Sequence, residues 1–351
     1  MSRTRTRVLA VTTLALALTP ALVACGSTSG GGTSTAKKIC LVTDIGGLND
    51  RGFNALANQG LEQAKTELGV TGTVTESKSG NDYVPNLTNC VTTQNADLTI
   101  GVGFLMQDAI GTVAGQFPNK KFAIVDGTGT KTEGTTQTDL NQANVTGLFF
   151  KEQDAGALVG VIAGELEKTP AAPLTGTKVI SAVGGISIPP VNRYIAGYQF
   201  GAAQVDPTIK VLIGYSNDFQ DAAKCKSVAE SQIANKSEIV FQVAGGCGLG
   251  ALKAAGEKNV YSIGVDSDQK SQDNSVIASA LKRVNVATFT AIKNVVDGKD
   301  SGHSLLFGLD NDGVGYAPGN ITLSQAIQDK VKSVSDAIKA GTLKVPDTIA
   351  S

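Results

Sequence analysis

Short apolar segments alternate with segments of helical periodicity from Lys38 onward. Apolar runs of about five residues that end in Gly, Asn or Asp predict buried strands. The apolar positions between Phe53 and Leu68 share one helical face. Strands are predicted over 39–43, 73–77, 98–102, 122–126, 145–149, 178–183, 210–215, 238–243, 260–265 and 275–281, and further helices over 150–167, 191–204, 218–234, 248–257 and 286–297. This alternation predicts an α/β fold whose parallel sheets carry helices on both faces.

Acids, glycines and aromatic residues recur where the predicted strands end. They are Asp44, Gly103, Phe104, Asp126, Asn217, Asp218, Phe219, Gly245, Gly246 and Asp266. In open parallel sheets, ligands bind beyond the carboxyl ends of the strands. Two similar α/β halves that face each other across a cleft explain both the length of the chain and this pattern.

The first residues have the layout of a secretory signal peptide, with Arg3, Arg5 and Arg7 before an apolar run to Ala24. The run closes on Leu22-Val23-Ala24-Cys25, which resembles a bacterial lipobox and predicts a lipid on Cys25. An ordinary signal peptide with an incidental cysteine is the alternative. Residues 1–24 are therefore predicted to be removed, and 25–36 to form a lipidated flexible tether. This places the protein on the outer face of the cytoplasmic membrane.

Charge and cysteine content narrow the class of protein. Removal of the signal peptide takes away three arginines and no acid, which changes the formal charge from −1 to about −4, so a nucleic-acid partner is not expected. Outside the cytoplasm, an even number of cysteines suggests disulfides. Cys40, Cys90, Cys225 and Cys247 allow three connectivities, and we favour 40–90 with 225–247, because each pair stays within one half. With no CxxC motif and one histidine, His303, neither a metal nor a cofactor is expected.

Asp44 and two phenylalanines are the first candidates for ligand contact. Asp44 would accept hydrogen bonds from a ligand or, alternatively, from the amides of its own turn. Asp50 is the better candidate for capping the helix that follows. Phe53 and Phe219 each stand at the predicted start of a helix, in opposite halves of the chain. A lone aromatic there usually belongs to the core, but two such rings could stack on a flat heterocycle, at roughly 1–3 kcal/mol per ring.

Asp266 and Lys282 end two successive predicted strands and together suit the vicinal diol of a ribose. The alternative is a salt bridge between neighbouring strand ends. The glycine turn at Gly245-Gly246 would let the backbone approach a ligand closely, yet it matches neither a Walker A loop nor the dinucleotide fingerprint. No GxSxG motif is present, and His303 has no acid or nucleophile beside it, so an enzyme is not expected.

Several stretches in order resemble the basic membrane protein family, the PnrA-like purine nucleoside-binding lipoproteins of ABC transporters. The resemblance covers Lys38 to about Ala340 and rests on "LVTDIGGLNDRGFN", "FAIVDG", "GALVGVIAG", "YSNDFQDAAKCK", "VAGGCGLGALKAAG", "GVDSDQ", "ALKRVNVATF" and "GLDNDGVGYAP". It implies a type I periplasmic-binding fold of two Rossmann-like lobes with parallel sheets, joined by a three-crossover hinge. The expected lobes are 37–147 plus 282–302 and 148–281 plus 303–351.

The resemblance also implies roles for the candidate residues. Phe53 and Phe219 would stack on the base, and Asp44 and Asp126 would bind its edge with Asn54 nearby. Asp266 and Lys282 would bind ribose beside the Gly245-Gly246 turn. The chain departs from the family at Gly52, where serine is common, and at Phe219, where tryptophan is frequent.

These roles predict a non-catalytic, monomeric binding protein. It would capture a purine nucleoside and pass it to a permease powered by a separate ATPase. Alternatives are a riboflavin-binding importer component, since some members bind riboflavin, a ligand sensor and, least expected, a nucleoside-cleaving enzyme.

Overall fold

A computed structural model describes residues 36–299 and 302–350. The predictions for the signal peptide and for Cys25 lie outside these residues. The strands are β1 (Lys38–Thr43), β2 (Thr71–Thr75), β3 (Leu98–Val102), β4 (Lys121–Val125), β5 (Thr130–Glu133), β6 (Thr136–Asp139), β7 (Val145–Phe150), β8 (Val179–Gly184), β9 (Lys210–Tyr215), β10 (Ile239–Val243), β11 (Tyr261–Asp266), β12 (Val276–Lys282), β13 (Leu305–Phe307) and β14 (Val314–Pro318). The helices are α1 (Phe53–Leu68), α2 (Tyr83–Thr92), α3 (Gln107–Gln116), α4 (Glu152–Lys168), α5 (Pro189–Ala203), α6 (Ala222–Ala234), α7 (Gly248–Glu257), α8 (Val284–Val296) and α9 (Gln325–Lys339).

Twelve of these strands form two six-stranded sheets, one in each lobe, and β5 and β6 form a separate antiparallel pair. The order is β13-β7-β4-β3-β1-β2 in the first lobe and β14-β12-β11-β10-β8-β9 in the second. Neighbouring strands are parallel throughout the first sheet, while in the second only the β12–β14 pair is antiparallel. The central strands are buried and rich in Val, Ile and Ala, as expected for sheets covered on both faces. The predicted α/β fold is confirmed.

Within the described residues the chain passes between the lobes three times, after β7, after β12 and after β13. These crossovers lie side by side, because the Lys151 N–H donates to the Phe307 carbonyl at 2.9 Å and the Arg283 N–H to the Gly313 carbonyl at 2.9 Å. The lobes are thus joined by adjacent segments, an arrangement suited to hinge motion.

The lobe boundaries differ from those expected from sequence. Strand β7 continues through Phe150, and β13 pairs with it, so 148–150 and 302–307 belong to the first lobe. Lys282 is the last residue of β12 and belongs to the second lobe. The expected boundaries were wrong by a few residues because a three-residue strand has no pattern that assigns it to one sheet.

Several helices also differ from the prediction. Helix α6 begins at Ala222, so Phe219 lies in the preceding loop rather than in the first helical turn. Helices α2, α3 and α9 were not predicted, since glycine, asparagine and threonine interrupt the apolar period of the first two. None of the described helices is long and apolar enough to cross a membrane.

Two disulfides form the pairs that were favoured from sequence. Cys40 of β1 is bonded to Cys90 of α2. Cys225 of α6 is bonded to Cys247, which directly follows the glycine turn. All four cysteines are fully buried. The second bond therefore ties the helix that follows Phe219 to the Gly245-Gly246 turn.

Helices α4 and α5 pack at unusually short distance through glycines. A Cβ atom at Gly156 would lie 2.2 Å from the Tyr194 carbonyl oxygen, and one at Gly197 would lie 2.0 Å from the Gln153 carbonyl oxygen. Since real Cβ atoms do not approach backbone this closely, only glycine permits the packing. The two helices therefore hold each other's first turns in fixed positions.

Candidate ligand-binding site

A cavity of about 570 Å³ lies between the lobes, at the carboxyl ends of both sheets. Its walls include eight of the nine predicted ligand-binding residues: Asp44, Phe53, Asn54, Asp126, Phe219, Gly245, Asp266 and Lys282. Gly246 instead packs against the first lobe, where a Cβ atom would lie 3.6 Å from the Asp50 Cα. Its position beyond the carboxyl ends of two parallel sheets is typical of a small-molecule site.

We call the two regions of the cavity the turn end and the crossover end. The turn end comprises Asp44, Asp50, Asn54, Phe219 and Gly245, around the turns that follow β1 and β10. The crossover end comprises Asp126, Tyr194, Asp266 and Lys282 beside the crossovers, with Glu152 behind Lys282 and outside the cavity wall. Because β3 lies between β1 and β4, the strand ends that carry Asp44 and Asp126 are about 10 Å apart.

At the turn end, Asp44 is held by donors of its own lobe. Its Oδ1 accepts hydrogen bonds from the Gly46 N–H at 2.8 Å and from Asn54 Nδ2 at 2.9 Å. Asp44 thus bonds its own turn, as the second sequence interpretation expected, and also lines the cavity, so its contact with a ligand stays a prediction. Asp50 accepts from the N–H groups of Gly52, Asn54 and Ala55, as the capping prediction required.

Burial dominates the electrostatics of the turn end. It raises the pKa of Asp44 to about 6, against the opposing effect of the hydrogen bonds from Asn54 and Gly46. Burial also raises the pKa of Asp50. Asn54 Oδ1 is buried and has no hydrogen-bond partner among the described residues. These groups offer acceptors to a ligand that carries N–H donors.

Phe219 is fixed in its loop by contacts on both sides. Its carbonyl accepts from the Cys247 N–H at 3.0 Å, next to the disulfide. Its ring lies on Gly185, where a Cβ atom would be 2.3 Å from the ring edge. Asp218 caps the loop by accepting from the N–H groups of Gln220 and Asp221. The half-buried ring is therefore preorganised at the cavity wall although it precedes the helix.

Lys282 is the centre of the crossover end and is only 2% exposed. Its Nζ donates to Asp126 Oδ2 at 2.7 Å and to Glu152 Oε1 at 2.8 Å. It also lies 5.0 Å from the centroid of the Phe53 ring and 4.8 Å from that of Phe150. The alternative expectation of a salt bridge between Asp266 and Lys282 was wrong, because Asp126 and Glu152 take the ammonium instead.

The charges at the crossover end are strongly coupled. Burial alone would lower the pKa of Lys282, but the charges of Asp126 and Glu152 outweigh it and raise that pKa. Burial raises the pKa of Asp126 to about 6 and that of Asp266 to about 7, and the Lys282 charge opposes both shifts. The lysine therefore stays charged at neutral pH among carboxylates that hold protons more tightly than usual.

Two residues of the crossover end were not anticipated from sequence. The Tyr194 hydroxyl donates to Asp266 Oδ1 at 3.3 Å. Glu152 is fully buried behind Lys282, and its Oε2 lies 3.4 Å from Arg193 Nη1. Glu152 is the first residue of α4 and Tyr194 lies in the second turn of α5. The partner of Tyr194 lies 72 positions away and that of Glu152 lies 130 positions away, so no local pattern signals the contacts.

The lobes touch each other at the rim of the cavity. The Ser267 Oγ of the second lobe donates to the Arg51 carbonyl of the first at 2.6 Å, and Gln269 Nε2 reaches the same oxygen at 3.4 Å. Arg51 adopts a left-handed backbone with φ 57°. The structure is therefore a closed form in which both lobes enclose the cavity. In the part of the chain that the structure describes, no group of His, Cys, Asp and Glu is placed to hold a metal ion.

Two parallel α/β lobes, three adjacent crossovers and an interlobe cavity define the fold of the periplasmic-binding-protein type. The chain superposes on the solute-binding protein of an ABC transporter system from Aeropyrum pernix K1 with a TM-score of 0.77, 27% identity and coverage of 88% of this chain and 94% of that one. The arabinose-binding protein AraP from Geobacillus stearothermophilus shares the fold alone, with a TM-score of 0.59, 13% identity and coverage of 85% and 99%.

The sequence gives the family within this class. Residues 37–348 match the family model Bmp, described as ABC transporter substrate-binding protein PnrA-like. The chain is 33% identical to the ABC transporter nucleoside-binding protein BmpA of Lactococcus lactis over 97% of this chain and 99% of that one. It is 29% identical to basic membrane protein D of Borreliella burgdorferi over 93% and 92%. The chain belongs to the Bmp family and is a substrate-binding protein of an ABC transporter.

Proposed function

We propose that the protein captures a purine nucleoside in the interlobe cavity and delivers it to an ABC permease. The observation that carries the proposal is the placement of Phe53 and Phe219, from opposite lobes, on the walls of one cavity with polar groups at both ends. The similarity to a relative named for nucleoside binding supports the same ligand class.

The base would occupy the turn end. Phe53 and Phe219 would stack on its faces, at roughly 1–3 kcal/mol for each ring. Asp44 and Asn54 would bind the N–H groups of its edge, since Asn54 Oδ1 has no partner among the described residues. A base that cannot donate there would leave buried acceptors unpaired, which is the physical basis of selectivity.

The sugar would occupy the crossover end. Asp266 and Lys282 would bind its hydroxyls, as the family resemblance implied. We assign Asp126 to the sugar rather than to the base, because Lys282 Nζ lies 2.7 Å from its Oδ2. A carboxylate accepts from a hydroxyl proton and an ammonium donates to the hydroxyl oxygen, so the pair suits a diol.

Closure would couple capture to transport. A ligand that contacts both lobes favours the closed state by population shift, and the permease with its separate ATPase would then act on that state. A lipid on Cys25, outside the described residues, would keep the monomer at the outer face of the membrane. Replacement of Cys25 by Ser should release the protein into the medium, as measured by fractionation and immunoblotting. Retention at the membrane would contradict lipid anchoring.

A thermal-shift panel tests the ligand class. The purified protein, unfolded and refolded to remove bound ligand, is heated with adenosine, guanosine, inosine, uridine, riboflavin, adenine, hypoxanthine or ribose. A ligand at a hundred times its Kd stabilises by about 2.7 kcal/mol, which is several degrees for a chain of this size. Shifts with purine nucleosides that exceed those with adenine and hypoxanthine, with no shift for ribose, would support the proposal. A shift with riboflavin alone would replace the substrate, and hypoxanthine released from inosine would indicate an enzyme. No shift would contradict a nucleoside ligand.

A further inference from the structure

We propose that Glu152 is a positioning residue for ligand binding: it draws the Lys282 ammonium aside so that Asp126 Oδ1 remains free to accept a ligand hydroxyl. The inference rests on the proposed function, because it assigns a sugar to the crossover end. Glu152 does not line the cavity itself and acts only through Lys282.

Hydrogen-bond counting carries the first step. A lysine ammonium has three donors. One goes to Asp126 Oδ2 and one to Glu152 Oε1, which leaves a single donor at the cavity. Asp126 Oδ1 is buried and has no partner among the described residues. A buried carboxylate oxygen without a donor is costly, so the site requires an O–H or N–H from the ligand at this atom.

The position of Glu152 makes it suited to this role. It is the first residue of α4 and directly follows the crossover at Phe150 and Lys151. The N-terminus of a helix favours a carboxylate. The glycine-mediated packing of α4 on α5 keeps this turn from shifting, and Arg193 of α5 lies against the second carboxylate oxygen. Glu152 is therefore a rigid acceptor that fixes one side of Lys282.

Loss of the Glu152 charge would change the geometry of the crossover end. Lys282 would then have Asp126 as its nearest anion, with Asp266 as the next, and both line the cavity. The ammonium would move toward these carboxylates and occupy oxygens that the ligand hydroxyls need. Binding of the sugar would suffer, while the turn end, about 10 Å away along the sheet, would keep its contacts with the base.

Calorimetric titration of Glu152→Gln with inosine and with hypoxanthine tests the inference. The variant keeps the size of the side chain and removes its charge. We expect the Kd for inosine to rise at least tenfold, while the Kd for hypoxanthine changes less than twofold. A purely structural role would weaken both ligands together. Equal loss for the two ligands, or unchanged affinity for inosine, would overturn the role of Glu152.

Controls separate this outcome from failure of the proposed function. Glu165→Gln removes a carboxylate from the same helix away from the cavity and should leave both affinities unchanged. If Glu152→Gln does not fold, Glu152→Asp retains the charge but shortens the reach, and a smaller loss that is again confined to inosine is expected. Equal or no loss with Glu152→Asp would likewise overturn the inference. If the unmodified protein binds neither ligand, the proposed function itself is wrong.

Discussion

The turn end and the crossover end hold their acids by different means. At the turn end, Asp44 accepts hydrogen bonds from uncharged donors 2 and 10 residues away in the chain. At the crossover end, Lys282 is bonded to carboxylates 156 and 130 residues away, and the first of these bonds joins the two lobes. The acid of the turn end is held within the first lobe, whereas the ion pair between Lys282 and Asp126 exists only when the lobes are correctly placed.

The comparison separates the contacts that one lobe forms alone from those that require closure of both lobes. The hydrogen bonds that hold Asp44 and Asp50 can form before the lobes meet, because they lie within the first lobe. The crossover end depends on the Lys282 ammonium, which joins the two lobes. Removal of this charge should therefore reduce stability and affinity more than the other substitutions. Substitutions at the two ends should therefore separate effects on affinity from effects on folding.

Lys282→Met should have the largest effect, because it leaves Asp126 and Glu152 buried without their cation. Removal of one partner from a buried ion pair typically costs about 3–5 kcal/mol. Urea unfolding followed by circular dichroism should show a loss of this size, and binding of inosine should be lost. Lys293→Met removes a half-exposed lysine paired with Asp297 and should cost less than about 1 kcal/mol. Equal losses of unfolding free energy for both variants would contradict the role of Lys282 as the buried cation that stabilises Asp126 and Glu152.

Asp44→Asn should stabilise the protein in a pH-dependent way while weakening the binding of purine nucleosides. The pKa of Asp44 is about 6 in the folded state and about 3.8 ordinarily, so the folded state binds the proton more tightly. The unmodified protein therefore loses stability as the pH rises from about 4 to about 6. The variant removes this loss and should gain up to about 3 kcal/mol at pH 7 and almost nothing at pH 4.

Urea midpoints measured from pH 4 to pH 8 check this prediction. Asp347→Asn, at an exposed carboxylate, serves as the control and should not change the profile. Parallel pH profiles for Asp44→Asn and the unmodified protein would show that burial does not disfavour the Asp44 charge.

Phe219→Ala should weaken nucleoside binding at least tenfold, since stacking on one ring contributes roughly 1–3 kcal/mol. The loss should appear for inosine and hypoxanthine alike in calorimetric titrations, because the proposed site places the ring on the base and not on the sugar. Phe117→Ala removes a half-buried ring from the core of the first lobe and should leave affinity unchanged. A loss of affinity confined to inosine would indicate that Phe219 contacts the sugar, which would contradict its proposed stacking on the base.

Ser267→Ala should have the smallest effect, because it removes one hydrogen bond between the lobes at the exposed rim. A single hydrogen bond contributes about 0.5–1.5 kcal/mol, so we expect a 2- to 10-fold faster release of inosine. Stopped-flow measurement of dissociation checks this, with Ser271→Ala on the same loop as control. Identical release rates for the two variants would mean that the rim contact does not stabilise the closed form.

The sequence anticipated what is local and missed what is distant. Asp44, Phe53 and Asn54 follow one strand within a dozen residues, and a strand-end pattern is enough to place them together. Glu152 and Tyr194 could not be found in this way, because their partners are set by the packing of α4, α5 and the crossovers. Phe219 was correctly placed at the cavity, although its segment is a loop, because its strand end was recognised.

The lobe boundaries were missed for a similar physical reason. Whether β13 joins the first or the second sheet depends on its pairing with β7, and not on its three residues. Chain length and the residues at the strand ends suggested two facing halves, and the family resemblance supplied the three-crossover hinge, which alternation of strands and helices alone does not determine.

A crystal structure of the protein with inosine tests the central claim most directly. We expect the purine ring between Phe53 and Phe219, with its edge near Asp44 and Asn54, and ribose hydroxyls within hydrogen-bond distance of Asp126, Asp266 or Lys282. A reversed ligand, with the purine against Lys282 and the ribose against Asp44, would contradict the division between the two ends. Inosine bound outside the cavity would contradict the proposed site.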